Sequence, residues 1–247
     1  MSLDQHFAAS GMWLFRWRSF VPLIPVVVML LASGKWGDFL ALAPGMQVAL
    51  FTTAAFTSAL GLAVRVAAVG CTPKGTSGRN TRGQVAETLN TTGVYSVVRH
   101  PLYLGNFLMG LGVSFLTVTW WLPTLYSLFF WLYYERIMFA EERFLAEKFG
   151  SAFSEWAGRT RAFVPAWSGY TAPALPFSLR NVLRREYNGA YALCVLFLVF
   201  HAVHVVRSAG VLRLEPTQRW VWAAATVVWL LLRHLKRRTR LLEVAGR

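Results

Sequence analysis

The residues best suited to chemistry stand in "TGVYSVVRHPLYLGNF", residues 92–107. Arg99, His100 and Pro101 directly precede an apolar run, and Tyr103, Gly105 and Asn106 are threaded into its first turns. A lipid-facing helix has no use for a cation, an imidazole, a phenol and an amide at one end. One reading is plain: Arg99 snorkels to the interface, Pro101 starts a helix at its first turn, and His100 happens to lie between them. The other follows from spacing. On a helix, positions 99, 103 and 106 share a face, as nearly do 102, 105 and 109. A polar stripe beside a glycine leaves a groove with donors on its wall. Inside a membrane span such a stripe faces a polar cavity or a ligand.

The acidic residues are spread just as unevenly. The chain has 11, and Glu135, Glu141 and Glu142 fall in one short stretch. Ion pairing with Arg136 and Arg143 at a helix end accounts for Glu135. For Glu141 and Glu142 the connection matters. The apolar runs 102–119 and 122–140 are joined by so short a turn, at Trp120, Trp121 and Pro123, that they must be antiparallel neighbours. The carboxylates are thereby brought beside His100 and Tyr103. Two carboxylates next to an aromatic ring and an imidazole suit a cationic small molecule with an aromatic part.

The elements that hold these residues are membrane spans. Of 247 residues 55% are hydrophobic, and the mean hydropathy is +0.43, too apolar for an ordinary soluble domain. The pattern predicts an all-α polytopic membrane protein with about six spans, each near the ~20 residues a bilayer core needs. The expected spans are 17–33, 46–69, 102–119, 122–140, 191–206 and 220–235. The first carries Pro22 and Pro25 and has no small-residue cleavage site after its apolar core, which argues against a signal peptide. Residues 141–165 read as one amphipathic helix along the membrane interface, with Phe144, Leu145, Phe149, Phe153 and Trp156 at helical spacing. The organisation expected is two spans in 1–69, a cytoplasmic loop in 70–98, a core hairpin with its amphipathic helix in 99–165, and a linker with two further spans in 166–247.

The charge sets orientation and partners. The formal net charge is +14, but the basic residues flank apolar runs, which favours an anionic membrane surface or lipid head group over nucleic acid. With six spans, the basic segments before 17, at 70–98, at 141–185 and after 235 share one side, so both termini and the 99–106 cluster are expected in the cytoplasm. The connector 207–219 is also basic and dissents. Cys71 and Cys194 stand far apart without a partner motif, so neither a disulfide framework nor a metal site is expected.

The two halves of the pattern resemble the superfamily of isoprenylcysteine carboxyl methyltransferases and phospholipid methyltransferases. Gly93, Tyr95, Arg99, His100, Pro101, Tyr103 and Gly105 match its first motif, G-x-Y-x-x-x-R-H-P-x-Y-x-G. Glu141, Glu142, Leu145, Phe149, Gly150, Phe153 and Trp156 match the second, which follows one helical hairpin. The resemblance covers residues 85–165, and the last two spans look like an addition to the family core. It implies S-adenosylmethionine as cofactor, held without a Rossmann domain; the chain has no strand followed by a Gly-rich turn. It further implies that Tyr95, His100, Tyr103, Gly105, Asn106, Glu141 and Glu142 bind the cofactor, with Arg99 and Glu142 catalytic. Asn106 stands where relatives often carry a bulkier residue.

The acceptor is less constrained. An amine would need a base to remove a proton, whereas a phosphate or carboxylate needs only positioning. The loop "KGTSGRNTRGQ" offers Lys74, Arg79, Arg82 and Gln84 with hydroxyl and amide donors, and Arg forks match phosphate oxygens. Positive-inside bias explains the same cations without a ligand. The leading expectation is methylation of an anionic lipid head group, such as a lipid A-type phosphate, with Arg79, Arg82 and Gln84 as substrate ligands, in a bacterial inner membrane with the site on the cytoplasmic side. Within the family the alternatives are an ethanolamine phospholipid, a prenylcysteine-like carboxylate or a thiol. From another class, the fold could serve lipid binding or transport without catalysis.

Overall fold

The computed structural model describes residues 2–33, 39–73, 75–76 and 84–247. The expected substrate ligands Arg79 and Arg82, together with Lys74, lie outside the described residues. Eight helices are formed among those described, with no strand: α1 (Leu3–Arg16), α2 (Leu23–Ala32), α3 (Pro44–Gly70), α4 (Pro101–Phe115), α5 (Trp121–Phe149), α6 (Ser151–Arg159), α7 (Leu179–Ala209) and α8 (Pro216–Arg238). The all-α expectation holds. Two helices, α3 and α7, are long and apolar enough to cross a membrane by length and composition.

The expected spans 122–140 and 220–235 fall inside α5 and α8, while 17–33 and 102–119 differ from their sequence reading. The stretch 17–33 is not one helix. Turns occupy 17–22, and the helix proper is the ten residues Leu23–Ala32, about 15 Å or half a bilayer core. Pro22 caps this helix and Pro25 sits in its first turn, the places where a missing N–H costs least. The α4 helix has 15 residues, about 22 Å. By contrast α5 runs unbroken for 29 residues, about 43 Å. Glu141 and Glu142 lie in its last third, twenty and more residues from its start.

Residues 141–165 are likewise not one amphipathic helix. Helix α5 continues to Phe149, Gly150 breaks it at φ 55°, and α6 begins anew. A positive φ of this kind favours glycine. The break turns α6 back onto the 3₁₀ turn Gly93–Ser96, where Trp156 Nε1 donates to the Tyr95 carbonyl at 3.0 Å. Phe153 and Trp156 are buried there, so this apolar face covers protein rather than lying against lipid.

Helices α3 and α4 pack backbone to backbone. A Cβ on Gly105 would lie 2.4 Å from Arg65 Cγ and 2.7 Å from the Gly61 carbonyl, and one on Gly61 would lie 2.5 Å from the Gly105 carbonyl. Small residues at such crossings replace the hydrophobic driving force that lipid removes. Helix α1, which the sequence reading left unassigned, is capped by a reciprocal Ser2–Gln5 box and packs along α5. Tyr133 donates to the Leu14 carbonyl at 3.2 Å, and Arg143 pairs with Asp4 at 3.0 Å. At the far end of the chain α8 packs on α7, with Tyr191 and Trp229 stacked at 5.0 Å.

Candidate functional site

The RHP segment is held in place by backbone. The Arg99 and His100 amides donate to the Arg161 and Ala162 carbonyls at 2.9 and 3.1 Å, and the Ala166 amide donates to Val97 at 2.9 Å. The chain leaving α6 thus clamps the chain entering α4. Pro101 takes the first helical position of α4, where its absent N–H is harmless.

Side chains then converge on Glu142. Arg99 forks onto its two oxygens, Nε to Oε1 at 2.9 Å and the second guanidinium nitrogen to Oε2 at 3.1 Å. His100 Nε2 meets Oε1 at 2.8 Å. The remaining Arg99 nitrogen donates to the Ala157 and Thr160 carbonyls at 2.8 and 2.6 Å. Burial favours the neutral imidazole, but hydrogen bonds and charge from Glu141 and Glu142 outweigh it and raise the His100 pKa. For Glu142, burial raises the pKa, and the His100 and Arg99 contacts outweigh it, leaving the net value lowered. Both directions describe an imidazolium–carboxylate pair braced by a guanidinium. Glu141 is the looser carboxylate. Its Oε2 lies 3.6 Å from His100 Nδ1, a longer contact than the 2.8 Å made by Glu142, so it keeps acceptor capacity toward the cleft.

The cleft itself has a volume of about 270 Å³. Of the residues singled out from sequence, Tyr95, Arg99, His100, Tyr103, Asn106, Glu141, Glu142 and Gln84 line it. The imidazole of His100 stacks on Tyr103 at 5.6 Å and 18°, and Tyr103 meets Tyr134 at 4.8 Å. Gln84 Nε2 is buried without a hydrogen-bond partner. Gly105 points the other way, into the α3 crossing described above.

Four contributors were not found from sequence. Arg65 of α3 forks onto Glu186 of α7 at 2.7 and 2.9 Å and donates to Asn106 Oδ1 at 2.7 Å. Asn106, its amide so oriented, donates to the Tyr134 hydroxyl at 3.3 Å. Arg18, beyond the end of α1, also lines the cleft. Two signals were legible: Arg65 is a charge inside one apolar run, and Glu186 is one of few acids and stands just ahead of another apolar run. Helix α7 is therefore part of the cleft wall, not an appendage. Among the described residues no group of three His, Cys, Asp or Glu side chains could hold a metal ion.

The fold and cleft are those of an all-helical, membrane-type protein with a polar cleft among apolar helices. The phospholipid methyltransferase family matches residues 47–152, which span α3, the RHP segment, α4 and α5. The cobalt-zinc-cadmium resistance protein CzcN of Cupriavidus metallidurans is 34% identical over 55% of this chain and 62% of its own length. The nickel-cobalt-cadmium resistance protein NccN of Alcaligenes xylosoxydans xylosoxydans is 30% identical over 51% of this chain and 59% of its own. The chain thus spans about three fifths of these relatives. A protein-S-isoprenylcysteine O-methyltransferase of Schizosaccharomyces pombe is 31% identical over 31% of the chain and 33% of its own length. No solved structure gives a significant match. Residues 47–152 are thus similar to a family of membrane methyltransferases whose phospholipid and isoprenylcysteine members take their methyl group from S-adenosylmethionine.

Proposed function

We propose that this protein transfers a methyl group from S-adenosylmethionine to an anionic lipid head group at the cytoplasmic face of the membrane. The observation that carries the reading is the convergence of Arg99, His100 and Glu142, with Glu141 and Tyr103 beside them, within the segment matched by the methyltransferase family. The donor is cationic at sulfur and at its amino group and carries an aromatic base. Glu141 supplies an incompletely used carboxylate, the stacked His100–Tyr103 pair supplies flat surface, and Gln84 Nε2 is a buried donor in want of an acceptor. These groups fit the donor. When bound, it supplies an activated methyl on a sulfonium.

The protein's own work is positioning and exclusion of water. Glu142 has both oxygens occupied by Arg99 and His100, so its role is to lock the RHP segment, while Glu141 is the carboxylate left for the donor. An anionic acceptor needs no base. Arg82 and Arg79 precede the cleft-lining Gln84 by two and five residues in sequence, which supports a phosphate acceptor such as that of a lipid A-type glycolipid. The resistance named for two relatives is compatible with that chemistry, because a methyl ester on a phosphate removes an ionisable oxygen that would otherwise attract divalent cations.

The test is incubation of the purified protein in nanodiscs with radiolabelled donor and a bacterial lipid extract, followed by mass spectrometry of the lipids. One added methyl on a phosphate-bearing lipid is expected, with Arg79→Gln and Arg82→Gln slowing transfer. Methyl on an amine head group would overturn the acceptor assignment. Absence of both donor binding and transfer to any lipid would overturn the whole reading.

A further inference from the structure

A second cavity, of about 460 Å³, lies between α3, α7 and α8, well away from the cleft. Its α3 wall includes Phe51, Ala55 and Leu62, and its α7 wall includes Leu193 and Phe197. No charged side chain lines it among the described residues. Polar groups gather where His201 and His204 of α7 meet Thr217 and Gln218 of α8. His204 is 18 residues beyond Glu186 on one helix, or about 27 Å along its axis. The cavity's polar end thus belongs to the membrane face opposite the cleft.

His204 has one nitrogen to spare. It is 2% exposed. Its Nε2 lies 2.9 Å from the Leu116 carbonyl and 3.1 Å from Ser33 Oγ. A carbonyl can only accept, so Nε2 carries the proton, and in the neutral ring Nδ1 is left with a bare lone pair. That Nδ1 is buried and has no hydrogen-bond partner. Its neighbour His201 is satisfied by Gln218 at 2.8 Å. A long apolar wall ending at one unused acceptor specifies the missing ligand: a hydrocarbon chain for the wall and a hydroxyl for the nitrogen.

The geometry points to a second, non-catalytic lipid site, in which a long-chain lipid of the opposite leaflet lies between α3, α7 and α8 and donates a hydroxyl to His204 Nδ1. The site is independent of the methyl-transfer reading. It gives the α7–α8 hairpin a ligand of its own beyond the matched segment 47–152.

The experiment uses the full protein in phosphatidylcholine nanodiscs and a dodecanol analogue with a mid-chain diazirine. After illumination, cross-linked peptides are mapped by mass spectrometry, with dodecan-1-ol or dodecyl methyl ether as competitor. Labelling is expected on α3, α7 and α8 around Ala55 and Leu193. The alcohol should compete roughly threefold to tenfold better than the ether, the value of one net hydrogen bond. His204→Phe should remove that preference, and Ala55→Phe, which fills the cavity and leaves the histidine intact, should remove the labelling. Equal competition by alcohol and ether would mean that water alone serves His204, and would overturn the site. So would labelling that Ala55→Phe leaves unchanged.

Discussion

Glu142 and His100 stand 42 residues apart across a helical hairpin, yet their Oε1 and Nε2 atoms lie 2.8 Å from each other. The turn between α4 and α5 makes them neighbours, and the pair has a pH signature. The His100 pKa is raised above its ordinary 6.5. Its contribution to stability is complete below 6.5 and is lost as pH rises through the higher folded value. The Glu142 pKa is lowered below its ordinary 4.5. Its contribution is complete above 4.5 and is lost as pH falls through the lower folded value. Both act fully between pH 4.5 and 6.5. Melting temperature in detergent should therefore be highest in that window, and Glu142→Gln should flatten the profile. An unchanged profile would remove the ion pair from the account.

The two adjacent carboxylates should separate experimentally. Glu141→Gln should weaken binding of S-adenosylmethionine by roughly tenfold to a hundredfold, the loss of one charge-assisted contact of about 1.5–3 kcal/mol, with little change in melting. Glu142→Gln should lower melting first and binding as a consequence. Calorimetry and thermal melts on the same preparations decide it. Donor affinity untouched in Glu141→Gln would show that the looser carboxylate is not a donor ligand.

The α3–α4 crossing predicts intolerance at Gly105. A methyl there meets the Gly61 backbone, which cannot rotate away, as well as Arg65 Cγ. Gly105→Ala should cost about 1–3 kcal/mol of stability by overpacking. It should also disturb Asn106, one residue on. A melt equal to the natural protein's would mean that the helices separate freely.

Orientation can be read with one cysteine. Ser168 is exposed in the connector between α6 and α7, which Arg159, Arg161 and Arg180 flank. With Cys71 and Cys194 replaced by serine, Ser168→Cys should resist an impermeant thiol reagent in intact cells and react after lysis. Reaction in intact cells would place the cleft outside.

How much was legible beforehand depended on distance along the chain. The proximity of Glu142 to His100 followed from one short turn and one antiparallel rule, so sequence sufficed. The all-helical class followed from periodicity and composition. The proximity of Arg65 to Glu186 did not follow, because three helices and the loops between them separate the two, and no local pattern encodes which apolar faces meet. Gly105 was read as cleft lining because its motif neighbours line the cleft, but lack of a side chain serves a helix crossing as well as a ligand. Helix α1 precedes the apolar runs, and the capping box of Ser2 and Gln5 is the local signal that marks its start.

Arg65 and Glu186 carry the last prediction. Glu186 is 4% exposed, and both its oxygens are taken by one guanidinium, at 2.7 and 2.9 Å. Removing one partner of a buried pair strands the other, at a cost of about 3–5 kcal/mol, whereas replacing both by apolar groups is often neutral. Glu186→Ala should therefore melt far lower than the natural protein, and Arg65→Met with Glu186→Leu should recover much of the loss. The double variant should still be impaired in donor binding, because Arg65 also donates to Asn106 Oδ1 at 2.7 Å and fixes the amide that faces the cleft. Stability regained without binding is the combination a purely structural bridge does not give. If the double variant binds donor normally, α7 only braces the fold, and Asn106 holds its orientation without help from Arg65.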